Sequence, residues 1–105
     1  MKLSVPERLM LLNLLPKYDS RASMKIARVL KEELSFSEAE WKDFQLVQDG
    51  DEWGWNPESI ATKDVHIGEK AMDLVMAAFG IADENKAVLD PHLDLWERFE
   101  EEKHV

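Results

Sequence analysis

Val5-Pro6-Glu7-Arg8-Leu9-Met10-Leu11-Leu12-Asn13-Leu14-Leu15 decides how the chain folds. Ser4 stands before it with Glu7 three residues on, the spacing of a capping box in which each side chain satisfies the other residue's amide. Pro6 is tolerated in the first turn, where amides have no intrahelical partner, and Pro16 ends the run. Only Glu7, Arg8 and Asn13 are polar, which leaves no wide wet face. A helix apolar nearly all round is covered by its neighbours, so this segment predicts the central helix of a small domain. Eleven residues are too few to span a bilayer. Lys2 before the run has the look of a signal peptide, but the three polar interruptions and the lack of a small-residue cleavage site argue against one.

The other elements follow by local signals. Asp19 or Ser20 opens a second helix to about Leu34, with Ala22, Ile26, Val29, Leu30 and Leu34 as its inner positions and Arg21, Lys25, Arg28 and Glu32 as its outer stripe. Ser37 and Glu40 form a second capping box, flanked by Phe36 and Trp41 at the two positions of a hydrophobic staple, so a short third helix runs to about Asp43 or Phe44. Gln45 to Asn56 reads as a hairpin turning at Asp49-Gly50. That register pairs Gln48 with Asp51, Leu46 with Trp53 and Phe44 with Trp55, and gathers the large apolar groups on one face. Pro57 closes the second strand, Glu58 to Lys63 forms a loop or single turn, and Asp64-Val65-His66-Ile67 alternates as a short third strand.

Glu69 to Phe79 is an amphipathic helix through Ala71, Leu74, Val75, Ala78 and Phe79, with Gly80 expected just past its end. After a loop, Asp90-Pro91 opens a last helix with the stripe Leu89, Leu93, Trp96 and Phe99, and the polar end from Glu100 frays. The expected fold is mainly α with a small β-hairpin (α+β), in one domain over residues 1–105. A winged helix-turn-helix-like core of three helices plus hairpin occupies 1–57, and a two-helix C-terminal part occupies 58–105. A chain of this length buries about two-thirds of its unfolded surface, enough for a core without staples.

Charge is the most informative feature of composition. The chain carries −9 overall. Residues 1–31 hold seven basic groups (Lys2, Arg8, Lys17, Arg21, Lys25, Arg28, Lys31) against Glu7 and Asp19, a balance of +5; the remaining six basic groups face twenty acidic ones, a balance of −14. The acidic part is repelled by nucleic acid and anionic lipid. The simplest outcome is that the basic part docks on the acidic part inside one fold, or that the charges are simply solvated faces. With no cysteine, disulfide and thiolate chemistry are unavailable and a reducing, cytoplasmic setting is expected.

Chemical motifs are scarce. His66, His92 and His104 are scattered and lack the convergent spacing of a zinc site. Asp49-Gly50-Asp51-Glu52-Trp53-Gly54 matches a calcium loop at positions one, three and six, but Trp53 stands at five and Ile60 at twelve. Asp94, Glu97 and Glu101 share a helix face without an environment to split their acidities. Ser4, Ser20 and Ser37 are caps with no histidine to activate them, and no glycine-rich phosphate loop exists. No catalytic residue, metal or cofactor is assigned, and a non-enzymatic protein is expected. Trp53 and Trp55 lie over a core, and Met10, Met24, Met72 and Met76 fill it.

Val5-Pro6-Glu7-Arg8-Leu9, Leu30-Lys31-Glu32-Glu33-Leu34-Ser35-Phe36-Ser37-Glu38, Trp55-Asn56-Pro57-Glu58 and Ile67-Gly68-Glu69-Lys70-Ala71 together resemble a group of small phage and prophage proteins of unknown role. The resemblance implies a mobile-element origin and no mechanism.

In a winged helix the third helix enters the major groove and the hairpin approaches phosphate. Here those parts carry Glu38, Glu40, Asp43, Asp49, Asp51 and Glu52, so DNA is disfavoured by charge. The leading expectation is a protein-binding module whose acidic surface imitates phosphate toward a nucleic-acid-binding protein. The alternative is a DNA-binding regulator using Lys17, Arg21, Lys25 and Arg28; a phage assembly component that self-associates comes third. No membrane partner is expected, and a homo-oligomer is compatible with the sequence.

Overall fold

The computed structural model describes residues 1–50, 52–56 and 61–103. Among them the order is β1 (Lys2–Ser4), α1 (Val5–Leu14), α2 (Arg21–Leu34), α3 (Glu38–Asp43), β2 (Val47–Asp49), β3 (Glu52–Gly54), β4 (Thr62–Asp64), α4 (Glu69–Glu84) and α5 (Asp90–Lys103). The fold is mainly helical with two small antiparallel pairs, β1–β4 and β2–β3. The expected segments around Pro57 to Ile60, and His104, lie outside the described residues.

Helix starts follow the sequence closely. Both capping boxes form: the Ser4 amide donates to Glu7 Oε1 at 2.9 Å and the Ser37 amide to Glu40 Oε1 at 3.0 Å, while each serine hydroxyl accepts from the amide three residues on. Ser20 caps α2 in the same way through the Ser23 amide.

One core joins both halves of the chain. Leu3, Leu11, Leu15, Leu30 and Leu34 pack with Val65, Val75, Phe79, Leu95 and Phe99. A second cluster lies under the hairpin, where Val5, Leu9 and Leu46 meet Phe36, Trp41, Phe44, Trp53 and Trp55. Thus α1 supplies one face to each cluster, as a helix without a wet face must.

The first strand, β1, has no forerunner in the sequence reading; it pairs Lys2 with Asp64, Leu3 with Lys63 and Ser4 with Thr62. The partner strand therefore ends at Asp64, where it was expected to begin. The alternation beyond it survives in burial, with Val65 fully buried between exposed Asp64 and His66.

The hairpin register is Val47 with Gly54, Gln48 with Trp53 and Asp49 with Glu52, so the last described pair before the turn is Asp49 with Glu52, where Gln48 with Asp51 was expected. Gly50 has φ +62°, and a primed turn needs positive φ at its first central position, which glycine supplies without a Cβ penalty. Moving the turn by one residue moves each partner by two, so the facing is preserved and Trp53 still points inward.

The fourth helix runs through Gly80 to Glu84. It ends where Lys86, at φ +55°, takes the place that glycine was expected to fill six residues earlier. The Lys86 amide donates to Asp83 O at 3.0 Å and the Ala87 amide to Ala82 O at 2.8 Å, the paired bonds of a Schellman motif. The same device ends α3: Gln45 has φ +53°, its amide reaches Lys42 O at 3.3 Å, and the Leu46 amide reaches Trp41 O at 3.0 Å. The fifth helix stays helical to Lys103, past the expected fraying point.

Two helices are rotated from their expected faces. On α2, Ala27 is fully buried with Leu30 and Leu34, whereas Val29 is 62% exposed and Ala22 is exposed. On α5, Leu95 and Phe99 enter the core while Leu89 and Leu93 stay exposed. Small Ala27 permits close helix approach. Phe79 draws α5 round by stacking on Trp96 at 5.3 Å and meeting Phe99 and His92 edge-on.

Candidate interaction surfaces

Arg8 organises the acidic side of the molecule. It is only 1% exposed, yet every part of its guanidinium is used. Nε donates to Leu34 O at 3.1 Å and Nη2 to Ser35 O at 2.6 Å, satisfying carbonyls that the end of α2 leaves without partners. Nη1 donates to Glu40 Oε2 at 2.6 Å, Nη2 reaches Glu40 Oε1 at 3.3 Å, and the Phe36 ring lies 3.9 Å below the guanidinium carbon. The planar fork of arginine suits this two-oxygen contact in a way a lysine ammonium does not. Lys63 completes the capping of α2 by donating to Glu33 O at 2.7 Å.

By sequence alone Arg8 is one of three polar exceptions in an apolar helix. The signal that identifies it is a cation inside a run with no wet face, together with a helix end at Leu34-Ser35 that has no glycine.

Glu40 is thereby removed from the acidic face. Hydrogen bonding to Arg8 holds its carboxyl below the usual value of 4.5, with the Ser37 amide and the charges of Arg8 and Lys63 adding to that and burial opposing it. Glu38 and Asp43, on the same short helix, are exposed.

The hairpin presents two unlike faces. Inward, Trp53 packs against Trp41 at 5.3 Å and Phe36 at 6.5 Å. Outward stand Val47, Asp49, Glu52 and Gly54, all exposed. Asp49 and Glu52 are directly opposite each other, an arrangement that opposes pairing because like charges face across one rung. Val47 is 62% exposed, and its partner Gly54 offers no side chain to cover it. Asp51 lies outside the described residues.

The basic stripe is equally open. Lys17, Arg21, Lys25 and Arg28 are exposed, and among the described residues none forms a salt bridge. Lys31 is the exception in that region, with Nζ on Pro16 O at 3.2 Å. Of the two outcomes expected for the basic part, docking on an acid holds for Arg8 and a solvated face holds for α2. At the far end of the chain Arg98 binds Glu7 and donates to Lys2 O at 2.6 Å. Burial pushes the Glu7 carboxyl up, but the Ser4 amide and Arg98 outweigh it and hold the group low.

The remaining candidates stay apart. His66 is exposed, and His92 Nδ1 accepts from the Leu89 amide at 3.1 Å at the start of α5. Asp94, Glu97 and Glu101 are exposed. Among the described residues no group of three potential metal ligands converges, and no helix is long and apolar enough to cross a membrane. Surface depressions of about 430 and 400 Å³ flank α2 and the Pro16–Asp19 connection.

Comparisons with family models, with curated proteins and with solved structures find no match to this chain.

Proposed function

We propose that the chain is a non-enzymatic binding module that engages a basic protein surface through the outer face of its hairpin and the exposed acids of α3. The carrying observation is the Asp49–Glu52 rung, where two carboxylates face each other on an exposed sheet face. Such a rung costs stability in the free protein, and a cationic group placed over it relieves the repulsion. Glu38 and Asp43 are further exposed acids on the helix packed under the hairpin, and a nucleic-acid-binding protein is one class of partner whose phosphate-binding surface suits such acids. The phage resemblance suits a small module of this kind. The test is titration with a fluorescent arginine-rich peptide. Affinity should fall at least tenfold when Asp49 and Glu52 are both changed to Lys; unchanged affinity overturns the reading.

A second reading has its own observation. Lys17, Arg21, Lys25 and Arg28 lie exposed and unpaired among the described residues, as a phosphate-contacting stripe would. A regulator using this stripe binds duplex DNA with a log–log salt dependence that Arg21→Ala plus Arg28→Ala flattens. Absence of binding at low ionic strength removes it.

A further inference from the structure

Two exposed faces of this molecule complement each other. On α2, Val29 is 62% exposed and stands one helical turn from Lys25, with Arg21 and Arg28 on the neighbouring outer stripe. On the hairpin, Val47 is also 62% exposed and stands one pleat from Asp49, with Glu52 across the rung. The hairpin face is thus an uncovered valine beside two acids, and the α2 face an uncovered valine with Arg21, Lys25 and Arg28 toward the helix N-terminus and Glu32 and Glu33 toward its C-terminus. Neither set of charges is neutralised by its own fold: among the described residues Arg21, Lys25, Arg28, Asp49 and Glu52 form no salt bridge.

Between α2 and the start of α4 lies a groove of about 430 Å³, with Ile26, Val29, Leu30 and Ala71 on its walls and Lys25 beside them. Glu33 also lines the groove, one helical turn from Val29 on the side away from Lys25, so the cations lie toward the N-terminal end of α2.

We infer that the groove receives the hairpin of a second copy of this chain. Val47 seats against Val29, while Asp49 and Glu52 meet Lys25 and the arginines of α2. Gly54 leaves Val47 free to enter, because no side chain stands opposite it. The contact is head-to-tail: groove and hairpin are different surfaces, so each copy keeps one of each free, and the association closes into a ring or continues as a filament. This inference rests on the reading of the hairpin as an acidic docking face and names the basic surface it docks on. It also places Lys17, Arg21, Lys25 and Arg28 at a protein contact and not at phosphate.

Sedimentation of the whole chain across a concentration series tests it. The average mass should rise with concentration in the unmodified protein. Arg21→Glu with Lys25→Glu and Arg28→Glu, and separately Asp49→Lys with Glu52→Lys, should each raise the midpoint concentration at least tenfold. Mixing the two variants should restore association, since one retains the hairpin and the other the groove. These side chains are exposed, and unchanged circular dichroism confirms that the variants fold. A monomer at every concentration overturns the inference, as does self-association indifferent to both variants or mixing without recovery. The arginine-rich peptide distinguishes the two proposals. If the unmodified protein stays monomeric yet binds the peptide through Asp49 and Glu52, the docking face stands and only the second copy is lost. If the peptide fails as well, both are lost.

Discussion

Arg8 and Glu40 form a two-oxygen ion pair, with Arg8 Nη1 2.6 Å from Glu40 Oε2, that ties the middle of α1 to the first turn of α3. The arginine is buried and the glutamate keeps a quarter of its side chain in solvent. The same guanidinium holds the Leu34 and Ser35 carbonyls, so one side chain fixes the angle between α1, α2 and α3. Truncating it strands two carbonyls and a carboxylate. Arg8→Ala should therefore cost about 3–5 kcal/mol in chemical denaturation, the scale of a buried pair broken from one side. Arg8→Lys should recover less than half, because an ammonium lacks the fork that serves three acceptors.

Acid should weaken the fold through Glu40 and Glu7. Both carboxyls are held below 4.5 in the folded chain, so the stability they contribute is fully present above that pH and is lost as pH falls through their lowered folded values. Denaturation midpoints should stay level from neutral pH to about 5, as far as these groups are concerned, and drop below about 4.5. Glu40→Gln should lower the plateau and make the drop shallower. A variant as steep as the unmodified protein would show that Glu40 does not contribute to it.

The two unusual helix positions predict substitutions of opposite kind. Gly80 sits inside α4 without positive φ, and nothing lies within 4 Å of an added Cβ. Gly80→Ala should stabilise by about 0.5–1 kcal/mol, whereas a glycine ending the helix would make the same change harmful. Lys86 holds the left-handed position, so Lys86→Gly should stabilise by up to about 1 kcal/mol.

Leu95 and Leu93 separate the observed face of α5 from the one its sequence suggests. Leu95→Ala should cost about 2–5 kcal/mol, as core truncations do, and Leu93→Ala within about 0.5 kcal/mol. Thermal unfolding of the pair decides it.

Glu52→Lys should stabilise the hairpin by about 0.2–1 kcal/mol, since it replaces a like-charge rung by an opposite-charge one, while weakening capture of an arginine-rich peptide. Gains in melting temperature and losses in affinity from one substitution would identify the rung as a site kept for binding at the expense of stability.

What the sequence determined by itself was everything set by neighbours three or four residues apart. The capping boxes at Ser4/Glu7 and Ser37/Glu40, the starts of α1, α2 and α3 and the inward side of the hairpin belong to this group. Each depends on short-range hydrogen bonding, pleat parity or solvation. The tertiary structure alone decided the rest. β1 became a strand because Thr62–Asp64 came beside it from sixty residues away. Glycine propensity, a cost of about 1 kcal/mol, did not stop α4 at Gly80, and the helix runs on to Glu84. The rotations of α2 and α5 followed from which helix pressed against them, and amphipathic stripes one position apart score alike in isolation. Glu40 read as surface charge until Arg8 arrived from α1, because an ion pair between residues thirty-two apart leaves no mark on either local sequence.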